Sequence, residues 1–279
     1  MDERTGFLGA VDGYEAGDWV ILGAPLDETT TFSKGTDKGP DAIRRASDCL
    51  EEYCPRLDRS LLDIGLADIG DIPLDVVPFP KNLEFIRNAV SLLVKRQARP
   101  LLLGGEHTVT IPAFEALLEV FPDLVLVQID AHADLRIDYE GSTISHACVV
   151  RRIEEQIGPA RILQVGIRSG TREEWKWMRE NNTLVSMDLS GTKKLQERIK
   201  DRPVYLTVDL DILDPSVLPG TGTPEPGGVS YLELDRFIRQ LSALNIVAAD
   251  VVELSPGLDS SGVSAVVASK VIRTMLLSL

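Results

Sequence analysis

The chain has 279 residues, 43 acidic and 29 basic, for a formal charge of −14. This length suits one large domain or two small ones, and a hydrophobic fraction of 44% is that of an ordinary globular protein rather than a disordered chain. The acidic balance argues against a nucleic-acid partner, because neutralising phosphates requires clustered Lys and Arg. Met1-Asp2-Glu3-Arg4 lacks the basic segment and apolar run of a secretory signal. Cys49, Cys54 and Cys148 show no CxxC spacing and read as buried or half-buried thiols of a reducing, cytoplasmic compartment.

In chain order, short apolar runs at residues 19–22, 100–103, 124–129, 161–165, 204–208 and 246–252 read as buried strands. Helical spacing separates them. Leu83, Ile86, Val90 and Leu93 step by three and four, as do Tyr231, Leu234, Ile238 and Leu241. Ser230, with Glu233 three residues on, forms a capping-box signature. Residues 262–279 are apolar but interrupted by Lys270 and Arg273, which predicts a core-packed helix and no membrane span. Such alternation predicts an α/β fold of three layers, α/β/α, with a mainly parallel sheet. No linker, repeat or charge block divides the chain, so residues 1–279 read as one domain. Two stretches break the rhythm. Residues 26–40 are polar and rich in Thr and Gly, a loop that is either disordered or functional. Residues 215–228 hold four prolines and four glycines and read as an ordered wall beside a site.

The three histidines, His107, His132 and His146, all fall within 40 residues of one another. His107 closes Gly104-Gly105-Glu106-His107 behind one strand run; Asp130-Ala131-His132-Ala133-Asp134 follows the next, and Asp209-Leu210-Asp211 a third. Side chains two and four apart on extended backbone share a face. Asp130, His132 and Asp134 are therefore expected to converge, and Asp209 with Asp211. Ligand crevices of open parallel sheets lie beyond the carboxyl ends of the strands, where these motifs fall. Four carboxylates crowded there would repel one another unless cations neutralise them, and two divalent ions balance the charge. Six donors exceed the three or four of one tetrahedral zinc. An oxygen-rich set with one imidazole per ion suits manganese, Mn2+.

These motifs, with Ser145-His146, Asp209-Leu210-Asp211-Ile212-Leu213-Asp214-Pro215 and Asp250-Val251-Val252-Glu253, resemble the signatures of the ureohydrolases, the arginase and agmatinase family. Lys38-Gly39-Pro40-Asp41-Ala42-Ile43-Arg44 is similar to a further segment of that family. The resemblance implies an arginase-like fold, a manganese pair, hydrolysis of a small cationic guanidino substrate, and a homo-oligomer, trimer or hexamer. It implies His107, Asp130, Asp134 and Asp211 around one ion, and Asp130, His132, Asp209 and Asp211 around the other. Asp134 would also relay a proton, Glu253 would orient the guanidinium, and His146 would carry a proton to the leaving amine. Two metals sharing one water lower its pKa, which a delocalised and poorly electrophilic guanidinium carbon requires.

Within the family, Thr221-Gly222-Thr223-Pro224-Glu225-Pro226-Gly227-Gly228 looks more like agmatinase than arginase. Residues 135–141 lack the Asn- and Thr-rich stretch with which arginases hold an amino-acid carboxylate. A substrate without that group is implied, agmatine first. Aminopropylagmatine, guanidinobutyrate and arginine remain alternatives, as does a catalytically silent relative acting as a regulatory subunit. Asp138 and Glu140 are candidates to attract the amine tail. Arg136 is expected in a structural ion pair, with pairing to a substrate carboxylate the alternative should it turn inward.

Overall fold

The computed structural model describes residues 6–74 and 78–279. In chain order its elements are β1 (Trp19–Ala24), α1 (Gly39–Ser47), β2 (Tyr53–Cys54), β3 (Arg59–Ser60), β4 (Leu66–Asp71), α2 (Phe79–Lys95), β5 (Arg99–Gly104), α3 (Thr110–Leu118), β6 (Val125–Ile129), α4 (Val149–Ile157), β7 (Ile162–Val165), α5 (Arg172–Asn181), β8 (Leu184–Ser186), α6 (Thr192–Ile199), β9 (Pro203–Asp209), α7 (Tyr231–Gln240), β10 (Asn245–Val252) and α8 (Val263–Ser278). β2 and β3 form a separate antiparallel pair. The other eight strands make one sheet, ordered β4-β1-β5-β10-β9-β6-β7-β8, in which every pairing is parallel.

The sheet divides the core in two. Ile21, Leu101, Leu206 and Val251 face one side with Ile43 of α1, Phe237 of α7 and Ile272 of α8. Val20, Leu102, Leu126 and Ala248 face the other with Ile86 of α2, Phe114 of α3 and Ile153 of α4. Strands apolar at almost every position are what helices on both faces demand. The three layers expected from the sequence are present.

Each strand run read from the sequence forms a strand, with ends shifted by one or two residues. Two edge members escaped that reading. β8 is only three residues long. β4 reads LADIGD, because an edge strand needs one covered face and carries polar residues elsewhere. Its Asp68 accepts from Arg44 of α1 at 2.8 Å and 2.9 Å, a bidentate pair that ties the first helix to the sheet edge. The capping box of α7 forms as expected. α8 packs in the core despite its charges, because Arg273, 4% exposed, donates to the backbone carbonyl of Glu51 at 2.7 Å. Cys54 and Cys148 are buried, but Cys49 is exposed at the end of α1, contrary to the expectation for it. No described helix is long and apolar enough to cross a membrane.

Leu206 lies at the centre of β9 and is fully buried. Leu206→Ala should cost about 2–5 kcal/mol of stability in urea unfolding, whereas Cys49→Ser on the surface should change it by less than about 0.5 kcal/mol. Equal losses would contradict this layering.

Candidate active site

Four neighbouring strands, β5, β10, β9 and β6, end at one place. His107 follows β5 and Glu253 follows β10; Asp209 ends β9 with Asp211 just beyond, and Asp130 to Asp134 follow β6. Of these, His107, His132, Asp134, Asp209, Asp211 and Glu253 floor a pocket of about 350 Å3 that is walled by Thr31 and Phe32, by Tyr139 and His146, and by Thr223. His107 Nδ1 lies 3.0 Å from Asp134 Oδ2, 3.2 Å from Asp130 Oδ2 and 3.4 Å from Asp209 Oδ2. His132 Nδ1 lies 2.8 Å from Asp211 Oδ2 and 3.8 Å from Asp130 Oδ1. All six expected donors come together, with Asp130 between the two imidazoles. The division inferred from resemblance changes in one respect: Asp209 sits beside His107, and Asp211 beside His132.

Their convergence also has a different backbone origin from the strand alternation expected. β6 stops at Ile129, and Asp134 reaches the cluster through left-handed backbone, φ 52°. Asp211 turns back in a single helical turn whose first N–H groups are capped by Asp209, Oδ1 accepting from the Asp211 N–H at 2.9 Å. Glu253 too is left-handed, φ 68°, a conformation that costs on the order of 1–3 kcal/mol and persists only where its surroundings impose it. Here the Glu253 N–H donates to the Gly105 carbonyl at 2.9 Å, and Glu253 Oε1 accepts from the His107 N–H at 2.7 Å.

Burial dominates the electrostatics. It pushes Asp130 up to about 7 and Glu253 up to about 8, with neighbouring carboxylates adding to both. Asp209 is raised by burial and by Asp211 and Asp130. Burial also opposes charge on the imidazoles, but the surrounding aspartates overcome it, so His107 lies well above its ordinary range and His132 is raised to about 11. Asp211 is lowered despite its burial, because His132 and the Ala131 N–H stabilise its anion. Without cations, the site holds protons instead.

The donor chemistry fits metal. His107 Nε2 lies 2.9 Å from Thr207 Oγ1, while its buried Nδ1 has no hydrogen-bond partner among the described residues. A ring nitrogen left without a partner and surrounded by carboxylate oxygens is placed as a ligand. His107, Asp130 and Asp134 could hold one ion, and Asp130, His132 and Asp211 a second.

Beneath these donors runs a row of polar side chains. Gln164, Gln128, Thr207 and Asp250 pair in register across β7, β6, β9 and β10, each fully buried on the α2–α4 face. Gln164 donates to Gln128 at 2.8 Å, and Gln128 donates to Asp130 at 2.7 Å. Tyr205 and Thr110 donate to Asp250 at 2.7 Å each. Partners of this kind fix the orientation of the residues above them. The sequence reading passed over Gln128, Gln164 and Thr207, although each is a polar break in an apolar strand.

Both irregular loops are ordered walls. Residues 26–36 fold around Asp27, which accepts from the Gly35 N–H at 2.7 Å and from the Thr30 hydroxyl. A Cβ on Gly105 would lie 2.0 Å from the Leu26 carbonyl oxygen, so only glycine lets the end of β5 meet this loop. In the second loop, Arg168 donates to the carbonyls of Asp211 at 2.7 Å and Glu225 at 2.6 Å, fastening the wall to the cluster. Asp138 and Glu140 are exposed on either side of Tyr139 and do not line the pocket; Glu174 does. Arg136 also lines it, stacked 4.8 Å from the Tyr139 ring centroid. Among the described residues no carboxylate reaches Arg136, so the expected structural ion pair is not formed.

Residues 17–278 match the model of the arginase family. The chain belongs to that family. An agmatinase of Bacillus subtilis is 40% identical over 275 residues, spanning 97% of this chain and 95% of its own. A guanidinobutyrase of Pseudomonas aeruginosa is 31% identical over 275 residues, spanning 94% and 86%. The crystal structure of the agmatine ureohydrolase of Thermoplasma volcanium aligns with a TM-score of 0.85 at 35% identity, covering 98% of this chain and 94% of that one. The arginase-like fold is thus established at well above the similarity at which fold alone would be shared.

A group whose pKa is raised on folding binds more protons folded than unfolded, so its stabilisation is lost as pH rises between the two values. For Asp130 that window runs from 3.8 to about 7, and for His132 from 6.5 to about 11. Asp211 has the opposite sign, but its window lies below 3.8. The melting temperature of chelator-treated protein should therefore fall between about pH 5 and about pH 9, and added manganese should remove most of that fall. A metal-free melting temperature that rises over this range would contradict the arrangement.

Proposed function

We propose that this arginase-family chain hydrolyses agmatine to putrescine and urea at a pair of manganese ions. The observation that carries the reading is the placement of Glu253. Only 4% exposed, it opens on the same pocket as His107, His132, Asp134, Asp209 and Asp211 and is held there by strained backbone. A buried carboxylate in that position asks for a cation with several N–H donors, and a guanidinium meets a carboxylate in two parallel bonds.

His107, Asp130, Asp134 and Asp209 would hold one ion, and Asp130, His132 and Asp211 the other. When bound, the pair supplies a water of lowered pKa and offsets the repulsion among the carboxylates. Glu253 orients the guanidinium with its carbon above the cluster. The water oxygen joins that carbon, and the bond from carbon to the tail nitrogen breaks. Asp134 takes up the proton released from the water. The Asp134 proton passes to the tail nitrogen as that bond breaks, and His146, on the pocket wall, takes the remaining hydroxyl proton and carries it to the leaving amine, a transfer suited to an imidazole. Asp138 and Glu140 act at longer range, drawing the cationic tail to the mouth.

A second reading has one specific observation behind it. Arg136 lines the pocket with no carboxylate partner among the described residues, and a guanidino acid such as guanidinobutyrate would supply one.

The test is urea release from agmatine, aminopropylagmatine, guanidinobutyrate and arginine at one manganese concentration. Agmatine should exceed arginine in kcat/KM by at least about a hundredfold, equivalent to about 2.7 kcal/mol. Comparable values would sink the assignment, and guanidinobutyrate ranking first would establish the second reading. His146→Asn should lower kcat at least about tenfold with metal content unchanged, since proton transfer contributes ~10²–10⁴-fold. A full rate in that variant would leave His146 a structural residue.

A further inference from the structure

The loop over residues 26–36 is held down by a carboxylate that the proposed reaction does not use. Glu106, between Gly105 and the donor His107, is fully buried. Its Oε2 accepts from the N–H groups of Glu28 at 2.7 Å and Thr29 at 2.6 Å, and its Oε1 accepts from the Thr29 hydroxyl at 2.6 Å. No cation lies within ion-pair distance of it among the described residues. A buried carboxylate in this situation depends on donors, and all three come from the loop.

The consequence falls on His146. The single proton of the Thr29 hydroxyl is committed to Glu106, so Thr29 Oγ1 is left to accept from everything else around it. It accepts the His146 backbone N–H at 3.0 Å and lies 3.4 Å from His146 Nδ1. Toward that ring nitrogen it can only accept, so a hydrogen bond between them needs Nδ1 to carry hydrogen, in competition with the Thr108 hydroxyl, 3.1 Å away, for the remaining lone pair of Thr29. Ser145 Oγ, 3.3 Å from the same nitrogen, can take either role and accepts from it when Nδ1 carries hydrogen. We infer that Glu106 and Thr29 are positioning residues that clamp the loop to the site and hold neutral His146 in its Nδ1–H form, leaving Nε2 as the nitrogen that exchanges protons with the substrate amine. This rests on the reading of His146 as proton carrier. The clamp links one pocket wall to the proton path, with Glu106 as the common anchor.

Because the chain has three histidines, imidazole 15N spectra of protein loaded with diamagnetic zinc, at about pH 8.5 and so above the ordinary imidazole range, report each ring separately. His146 should show the Nδ1–H form. Thr29→Val should shift it toward the other tautomer and lower kcat at least about tenfold in the manganese enzyme, a part of the ~10²–10⁴ that proton transfer supplies. Metal content should be unchanged, and Thr29→Ser should restore both tautomer and rate. His146 in the Nε2–H form in the unaltered protein would overturn the inference without any variant, as would an unshifted tautomer in Thr29→Val. A shifted tautomer alongside a fully active His146→Asn would uphold the clamp and remove the proton-carrier reading instead.

Discussion

Carboxylates that repel one another cannot share a buried site unless something supplies opposite charge, and this chain buries Asp130, Asp134, Asp209, Asp211 and Glu253 at one. In water their repulsion would be modest; behind a sheet and two layers of helices it is not. The raised values of Asp130, Asp209 and Glu253 express that cost as retained protons. Divalent cations would remove it and would supply, at the same cluster, a means of polarising water. The parallel sheet makes the arrangement possible, because only adjacent strands ending together can bring donors from four separate segments to one floor.

What surrounds the cluster follows from the need to hold it still. The row from Gln164 to Asp250 crosses four strands in register, and it sets Asp130 and His107 from beneath. Arg168 fastens the carbonyl of Asp211 to the proline- and glycine-rich wall. Glu106 does the same for the opposite wall. Strain appears at Asp134 and Glu253, two of the carboxylates that line the pocket, and at Glu253 hydrogen bonds to Gly105 and His107 hold the backbone in place. Rigidity of this sort favours chemistry that depends on charges fixed in advance of reaction.

Much of this was legible in the residues. Buried strands announce themselves as unbroken apolar runs, and acidic or histidine motifs directly after them stand out against that background, which is why the six clustered residues could be named, whereas Glu253 was marked by resemblance to the family. The turns that bring them together could not be read, because left-handed backbone at Asp134 and the capped turn at Asp209 depend on neighbours distant in sequence. Gln128 and Thr207 were passed over for a related reason: one polar residue in a strand carries no meaning until register sets it beside another. β4 and β8 lie at the sheet edges, where the apolar signal fades. Asp138 and Glu140 show the limit of proximity in sequence, since acidic residues near a motif look as if they line a site, yet the pocket wall between them is Tyr139. Arg136 was assigned an ion pair from its charge alone, and the fold gave it an aromatic ring instead.

The account turns on two cations sharing Asp130. Titrating manganese into chelator-treated protein, with bound metal measured directly and heat recorded at each addition, tests that claim most directly. It predicts saturation at two ions per chain and release of protons on binding, because His107, His132 and the raised aspartates must give them up. Saturation at a single ion, or binding that persists undiminished after Asp130→Ala, would contradict it.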